Sequence, residues 1–280
     1  MRKSVLSTGL AILAIGLFQA PAEAQNGFGC GGNRRGSLSI IGLTSDQRLV
    51  CFRETNPGGG RSAGAVSGLS GDARLVGIDF RPATGELWGL GDAGGLYVID
   101  VRDGGATFKS QLSVALAGTS FGIDFNPTVD RLRIISDTGQ NLRVNVDTGA
   151  ASVDTNLSGL DPLTGVTAAA YTNNDADGNT GTTLYVIDTA GDQLAIQAPP
   201  NVGSLNPTGK LTVNAAANAG FDIFSYILRG TTVEAWGYAV LTVNGQSRLY
   251  HINLFTGRAT PRGAFRSREQ VIDIAIPLNR

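Results

Sequence analysis

The sequence contains few of the residues that most catalytic and metal sites require. Its 280 residues include one histidine, two cysteines and one methionine. A single histidine excludes multi-histidine metal sites and would have to serve as the base of any Ser-His-Asp triad. Charged residues make up only 16% of the chain, compared with about 25% in ordinary soluble domains. With 22 basic and 23 acidic residues, the chain lacks the charge pattern of a protein that binds nucleic acid or an anionic membrane.

Long apolar segments are also scarce, and the one extended run lies near the start of the chain. Two basic residues precede the run from Val5 to Phe18, and Ala22-Glu23-Ala24 follows it. This run is shorter than the roughly 20 residues of a spanning helix. The pattern favours a cleaved signal peptide over 1–24 rather than a retained anchor. We therefore expect an exported protein, periplasmic or secreted, with no membrane span in its mature form.

Export determines how the two cysteines are interpreted. Cys30 and Cys51 are the only pair, and an oxidising compartment favours a disulfide between them. Such a bond would stabilise the fold by about 3 kcal/mol in the chain-entropy model. It would also fix the glycine-rich tail over 25–36 to the folded domain. A metal-binding thiol pair is the less favoured alternative, because no third soft ligand lies nearby in the sequence.

The chain is rich in glycine and repeats one short phrase. Gly77-Ile78-Asp79-Phe80 recurs as Gly122-Ile123-Asp124-Phe125, and weaker copies lie at 168–171, 220–223 and 271–274. A self-similar period of roughly 45 to 52 residues indicates one supersecondary unit that is used repeatedly.

One complete repeat predicts four short strands joined by hairpins. The strands are Leu75 to Phe80, Glu86 to Leu90, Leu96 to Val101 and Thr107 to Leu116. They are rich in β-branched and aromatic residues, and glycine-containing turns separate them. No helical period accompanies them.

The two ends of the repeat region complement each other. The first repeat lacks its opening strand, whereas Val271 to Ile276 is an opening strand with no repeat behind it. A ring would join these parts, and radial repetition protects sheet edges. We predict a single all-β domain over 37–280, a closed β-propeller of about five four-stranded blades. Six blades are the alternative, if the region from Lys210 to Phe224 contains an irregular unit.

Several phrases resemble a known family. They are Gly-Ile-Asp-Phe-x-Pro, Ser-Asp-Thr-Gly-Gln, and the segments 171–177 and 182–189. Together they resemble domain-of-unknown-function family 4394, a group of exported, propeller-like bacterial domains, over roughly Ser37 to Pro277. The resemblance implies the same fold and compartment, and it brings no catalytic residues with it.

The acidic residue of the repeated phrase is the first candidate site. It is Asp79, Asp124, Asp222 and Asp273 in four repeats, and Ala170 stands in the fifth place. These carboxylates could form a ring near the axis that binds a cation or a polyol, or an acid/base pair as in glycosidases. The favoured interpretation is structural, because a group present in almost every blade is more naturally part of the repeat. Each carboxylate would then accept backbone N–H bonds.

A second candidate is an acidic loop in the fourth repeat. Asn173, Asp175 and Asp177 alternate, a glycine follows, and Asn179 comes next. Oxygen ligands at this spacing match the first half of an EF-hand calcium loop. The match ends at Leu184, where the bidentate glutamate would stand. A calcium site is therefore a hypothesis, with a plain polar loop as the favoured alternative.

The histidine and the tryptophans have simpler interpretations. His251 occupies a strand position that is apolar in another repeat, which predicts a partly buried side chain. Trp88 and Trp236 lie in matching second strands. They could stack on a sugar, but their equivalent placement favours packing between blades.

We therefore expect a non-catalytic binding or scaffold module outside the cytoplasm, with calcium as a candidate stabilising ion. The partner would be an extracytoplasmic protein or a glycan, and the module would be a monomer. The alternative is a propeller hydrolase that uses the inner-strand carboxylates. A glycosidase or a calcium-dependent lactonase-type esterase would be its form.

Overall fold

The computed structural model describes residues 38–161, 165–173, 177, 179–229, 231–266 and 270–277. The predicted signal peptide at 1–24, the tail at 25–36 and the Cys30 end of the predicted disulfide lie outside these residues. The described residues form five four-stranded antiparallel sheets and a 3-10 helix at Pro200–Val202. The predicted five-bladed β-propeller is confirmed. Within the described part of the chain, no helix has the length and apolarity to cross a bilayer.

Each blade is one sheet, whose four strands follow one another from the inner edge to the outer edge. Blade 1 contains β20 (Val271–Ala275), β1 (Ser39–Thr44), β2 (Arg48–Arg53) and β3 (Asn56–Ala65). Blade 2 contains β4 (Leu75–Phe80), β5 (Leu87–Gly91), β6 (Gly95–Ile99) and β7 (Ala106–Gln111). Blade 3 contains β8 (Phe121–Asn126), β9 (Arg131–Ser136), β10 (Asn141–Val144) and β11 (Ala151–Val153). Blade 4 contains β12 (Val166–Tyr171), β13 (Leu184–Asp188), β14 (Gln193–Gln197) and β15 (Leu205–Lys210). Blade 5 contains β16 (Ala219–Leu228), β17 (Thr231–Val243), β18 (Gln246–Ile252) and β19 (Ala259–Ala264).

The ring closes through the last strand of the chain. Strand β20 pairs antiparallel with β1, with Gly42 opposite Ile274 and Leu43 opposite Asp273. The partial repeats at the two ends therefore complete one blade, as the sequence predicts. The six-blade alternative does not apply, because β15 ends at Lys210 and 211–218 connect it to β16 without a strand.

The apolar core lies between neighbouring blades. Trp88 of blade 2 is buried and meets Phe125 of blade 3 edge to face, with ring centroids 6.3 Å apart. The glycine of the repeated phrase permits close approach of the inner strands. A Cβ on Gly122 would lie 2.6 Å from the backbone of Ala168 and Ala169 in blade 4. Burial of each large apolar side chain in these layers contributes about 1.5–3 kcal/mol.

Candidate functional site

The inner strands leave one edge of every blade unpaired. Strands β20, β4, β8, β12 and β16 each pair with a neighbour on one side only. They contact one another in ring order around the axis. Free N–H groups on such an edge need acceptors, because an unpaired buried amide is costly. The aspartate of the repeated phrase lies on four of these five strands.

The carboxylate of Asp79 shows how one such edge is capped. It accepts the N–H of Phe80 on its own strand at 2.7 Å and that of Phe125 in the next blade, also at 2.7 Å. One side chain therefore connects two blades. Charge-assisted bonds of this kind are about twice as strong as neutral ones.

The other three axial carboxylates also accept backbone amides. Asp222 accepts from Ile223 and Ile276, both at 2.6 Å. Asp273 accepts from Ile274 at 2.9 Å and from Ile78 in blade 2 at 2.8 Å. Asp124 accepts from the backbone of Tyr171 in blade 4, the strand on which Ala170 replaces the aspartate. The blade without its own carboxylate thus receives one from its neighbour.

These four carboxylates form a buried cluster, which we call the axial cluster. Their residues are 6% exposed for Asp79, 5% for Asp124, 2% for Asp222 and 9% for Asp273. Burial is the largest cause of a raised pKa at every one of them. The pKa of Asp222 is raised to about 6. Repulsion from Asp222 further raises the pKa of Asp79, and repulsion from Asp79 raises that of Asp124.

The chemistry open to the axial cluster is narrow. Asp79, Asp124 and Asp222 offer oxygens that all lie within 4.8 Å of one another. Such a group could share protons, or it could surround one hard cation with Ca–O distances of about 2.3–2.6 Å. A glycosidase instead needs two carboxyls about 5–9.5 Å apart with access for a sugar. The axial cluster is closer and buried, and it is bonded to amides.

The acidic loop of blade 4 is only partly described. Asn173 is 9% exposed. Its Oδ1 accepts from the hydroxyl of Thr232, and its Nδ2 donates to the carbonyl of Gly181. Asp177 Oδ1 accepts from both the backbone and the side chain of Asn179, each at 2.9 Å. Asp175 lies outside the described residues, so the calcium site stays a prediction.

His251 and the tryptophans lie away from the axial cluster. His251 is half-buried on β18, with its ring edge-on to Tyr238 at 5.7 Å. Burial, with a smaller contribution from Arg262, lowers its pKa. Trp88 is enclosed in the core, and Arg81 lies over its ring. Trp236 stacks on Phe224 within blade 5.

Two surface pockets have no counterpart in the sequence predictions. One, of about 240 Å³, lies where inner strands begin, and its lining includes Arg74, Phe121 and Asn218. The other, of about 430 Å³, lies between blades 3 and 4. Its lining residues are Asn126, Val129, Arg131, Arg143, Pro200 and Asn201. The sequence signal for this second pocket lies in β9, which carries Arg133 at the register position where β5 carries Trp88.

The fold and its capped axis define a class, a five-bladed β-propeller with a closed ring and a buried axial cluster. The chain matches the model of the family described as Domain of unknown function (DUF4394) over residues 48–275. It therefore belongs to that family, as the repeated phrases predict. No curated protein matches it.

Similarity to solved structures is distant. A Bacteroides thetaiotaomicron protein of unknown function is 13% identical, with a TM-score of 0.48, and the match covers 89% of this chain and 69% of that one. BamB from Moraxella catarrhalis is 14% identical, with a TM-score of 0.34, over 79% of this chain and 56% of BamB. An auxiliary nutrient binding protein from Bacteroides ovatus is 15% identical, with a TM-score of 0.37, over 60% of this chain and 46% of that one. At these scores the matches carry no argument about function.

Proposed function

We propose that this protein is a non-catalytic binding or scaffold module that works outside the cytoplasm. The observation that carries this proposal is the state of the axial carboxylates. All four accept backbone amides and are buried, so the acids that a propeller glycosidase would use are committed to holding the blades together. The N-terminal signal pattern at 1–24 supports export.

The rival function, hydrolysis, makes different demands on the same residues. A hydrolase needs at least one carboxyl that can reach a substrate and exchange a proton with it. A raised pKa alone does not separate the two functions, because structural networks also perturb pKa values. Access to substrate separates them, and in the described residues the axial carboxylates are turned toward amides.

Hydrolysis assays on the purified protein test this proposal. We expect no turnover of nitrophenyl glycosides, lactones or short esters, with or without calcium. The matched variant is Asp222→Asn, which keeps the size of the side chain and removes its charge. Turnover by the wild type that disappears in this variant, while circular dichroism shows an intact fold, would overturn the proposal.

Export has a separate test. Expression of the full chain with its own N-terminus should place the protein in the periplasm or the medium. N-terminal sequencing should then read from Gln25. Full-length protein retained in the cytoplasm would remove this part of the proposal.

A further inference from the structure

The pocket between blades 3 and 4 has an unusual lining. It holds about 430 Å³, within the range of small-molecule sites, and Arg131 and Arg143 both line it. We propose that it binds a small organic acid through its carboxylate. This inference rests on the proposed function, because it names the ligand class that such a binding module would take.

A buried polar network holds the pocket in shape. Arg133 is 1% exposed. Its guanidinium donates to Asp154 at 2.7 Å and to Asn141 Oδ1 at 2.7 Å. It also donates to Asn201 Oδ1 at 2.8 Å, so it joins blade 3 to the pocket wall in blade 4. The position of Asn201 is therefore fixed from behind, as a preorganised site requires.

The charges at the pocket do not balance. Asp154 is buried and accepts from Arg133 and from Arg143, the latter through Nε at 2.7 Å and Nη2 at 2.9 Å. One carboxylate thus faces two arginines. Arg131 adds a third cation, and among the described residues no carboxylate lies within ion-pair distance of it. Its Nη1 donates to the carbonyls of Val129 and Asp130 instead.

The polar atoms of the lining are mostly donors, because the acceptors are already occupied. Asn126 Oδ1 accepts from the backbone and the hydroxyl of Thr128. Asn201 Oδ1 accepts from Arg133, and the carbonyl of Pro200 accepts from Gln197 at 2.7 Å and from Asn141 at 3.0 Å. The amide nitrogens of the two asparagines and the arginine N–H groups remain to meet a ligand. Such a lining matches a group that only accepts hydrogen bonds.

A carboxylate on a compact body fits these features best. Planar guanidinium groups bind carboxylates in bidentate fashion. Val129, 55% exposed, and Pro200 supply an apolar rim, which a bare inorganic anion would leave uncovered. The ligand class is therefore a carboxylic acid about the size of one sugar ring, such as a uronate.

Calorimetric titration of the full chain with glucuronate tests the site. Glucose is the matched neutral probe, and sulfate is the matched inorganic anion. We expect glucuronate to bind, with affinity that weakens as salt is added, and glucose and sulfate to bind at least about tenfold more weakly. Replacing both Arg131→Gln and Arg143→Gln should remove glucuronate binding. Asp154 keeps its bond to Arg133 in that variant, so the fold should persist.

Arg61→Gln is the matched control, because Arg61 is exposed on β3 in blade 1. Equal binding of glucose, equal binding of sulfate, or unchanged glucuronate binding in the double variant would each overturn the carboxylate site. The hydrolysis panel fails independently of this titration. Turnover there would overturn the non-catalytic function, whereas absence of glucuronate binding would overturn the pocket assignment alone.

Discussion

Raising the pH should destabilise this protein, because the axial cluster holds buried carboxyls with raised pKa values. Burial raises the pKa of Asp222 from 3.8 to about 6. A carboxyl whose pKa is higher in the folded state binds more protons there than in the unfolded state. The free energy of unfolding therefore falls as the pH rises through the window between the two values.

The size of the effect follows from the shift. One pKa unit corresponds to about 1.36 kcal/mol, so Asp222 alone should account for on the order of 3 kcal/mol. This stability is fully present below about pH 4 and lost as the pH rises through about 6. Asp79, Asp124 and Asp273 also have raised pKa values, so the decline should continue above that window. A domain has only about 5–15 kcal/mol of stability in total, which makes the effect easy to measure.

Urea unfolding from pH 5 to pH 9, followed by fluorescence of Trp88 and Trp236, measures this dependence. A chelator is needed throughout, because a bound cation would favour the charged carboxylates. Asp222→Asn should unfold more easily at pH 5, since an amide oxygen accepts fewer N–H bonds, and its pH dependence should be shallower. Asp46→Asn, in an exposed turn, should follow the wild type. Constant or rising stability across this range, or parallel decline in Asp222→Asn, would refute the reasoning.

Three further changes test other parts of the fold. Gly122→Ala should cost about 1–3 kcal/mol or more in urea unfolding, because the new Cβ meets the backbone of Ala168 at 2.6 Å; Gly105→Ala, which meets only the end of a side chain, is the control. Arg81→Met should cost about 2 kcal/mol, because Arg81 pairs with two carboxylates, and a cost that vanishes equally in high salt would contradict the role of burial. Calcium should raise the melting temperature at pH 8 and chelation should reverse it. Asp177→Ala should remove this response if the ion lies in the acidic loop, and a response that survives there but not in the axial variant would move the ion to the axis.

Much of the fold could be predicted because the repeat is written into the chain. Copies of one phrase indicate the number of inner strands, and the unmatched strand from Val271 indicates ring closure. The partners of the axial carboxylates could not be predicted. Asp79 accepts from Phe125, and Asp273 accepts from Ile78 across the closure. Which amide lies opposite each carboxylate depends on how adjacent blades are displaced, and the repeat pattern does not contain that displacement.

The pocket between blades 3 and 4 could not be predicted for a different physical reason. Its residues come from two blades and are not repeated, so periodicity gives them no weight. Arg143 and Asn201 are far apart in the chain, and packing between blades alone brings them together. Arg133 on β9 is the one clue in the sequence, because a charged side chain inside a sheet needs a buried partner.

Ring closure by β20 also affects the order in which the molecule can be made. Blade 1 begins with β1, which is synthesised early, but its inner strand is among the last parts of the chain to be made. At about 5–20 residues per second, the inner edge of β1 would wait on the order of tens of seconds for its partner. During that time it is an open template for pairing with another chain. A nascent propeller of this kind therefore has its greatest need of a chaperone at the blade that emerges first.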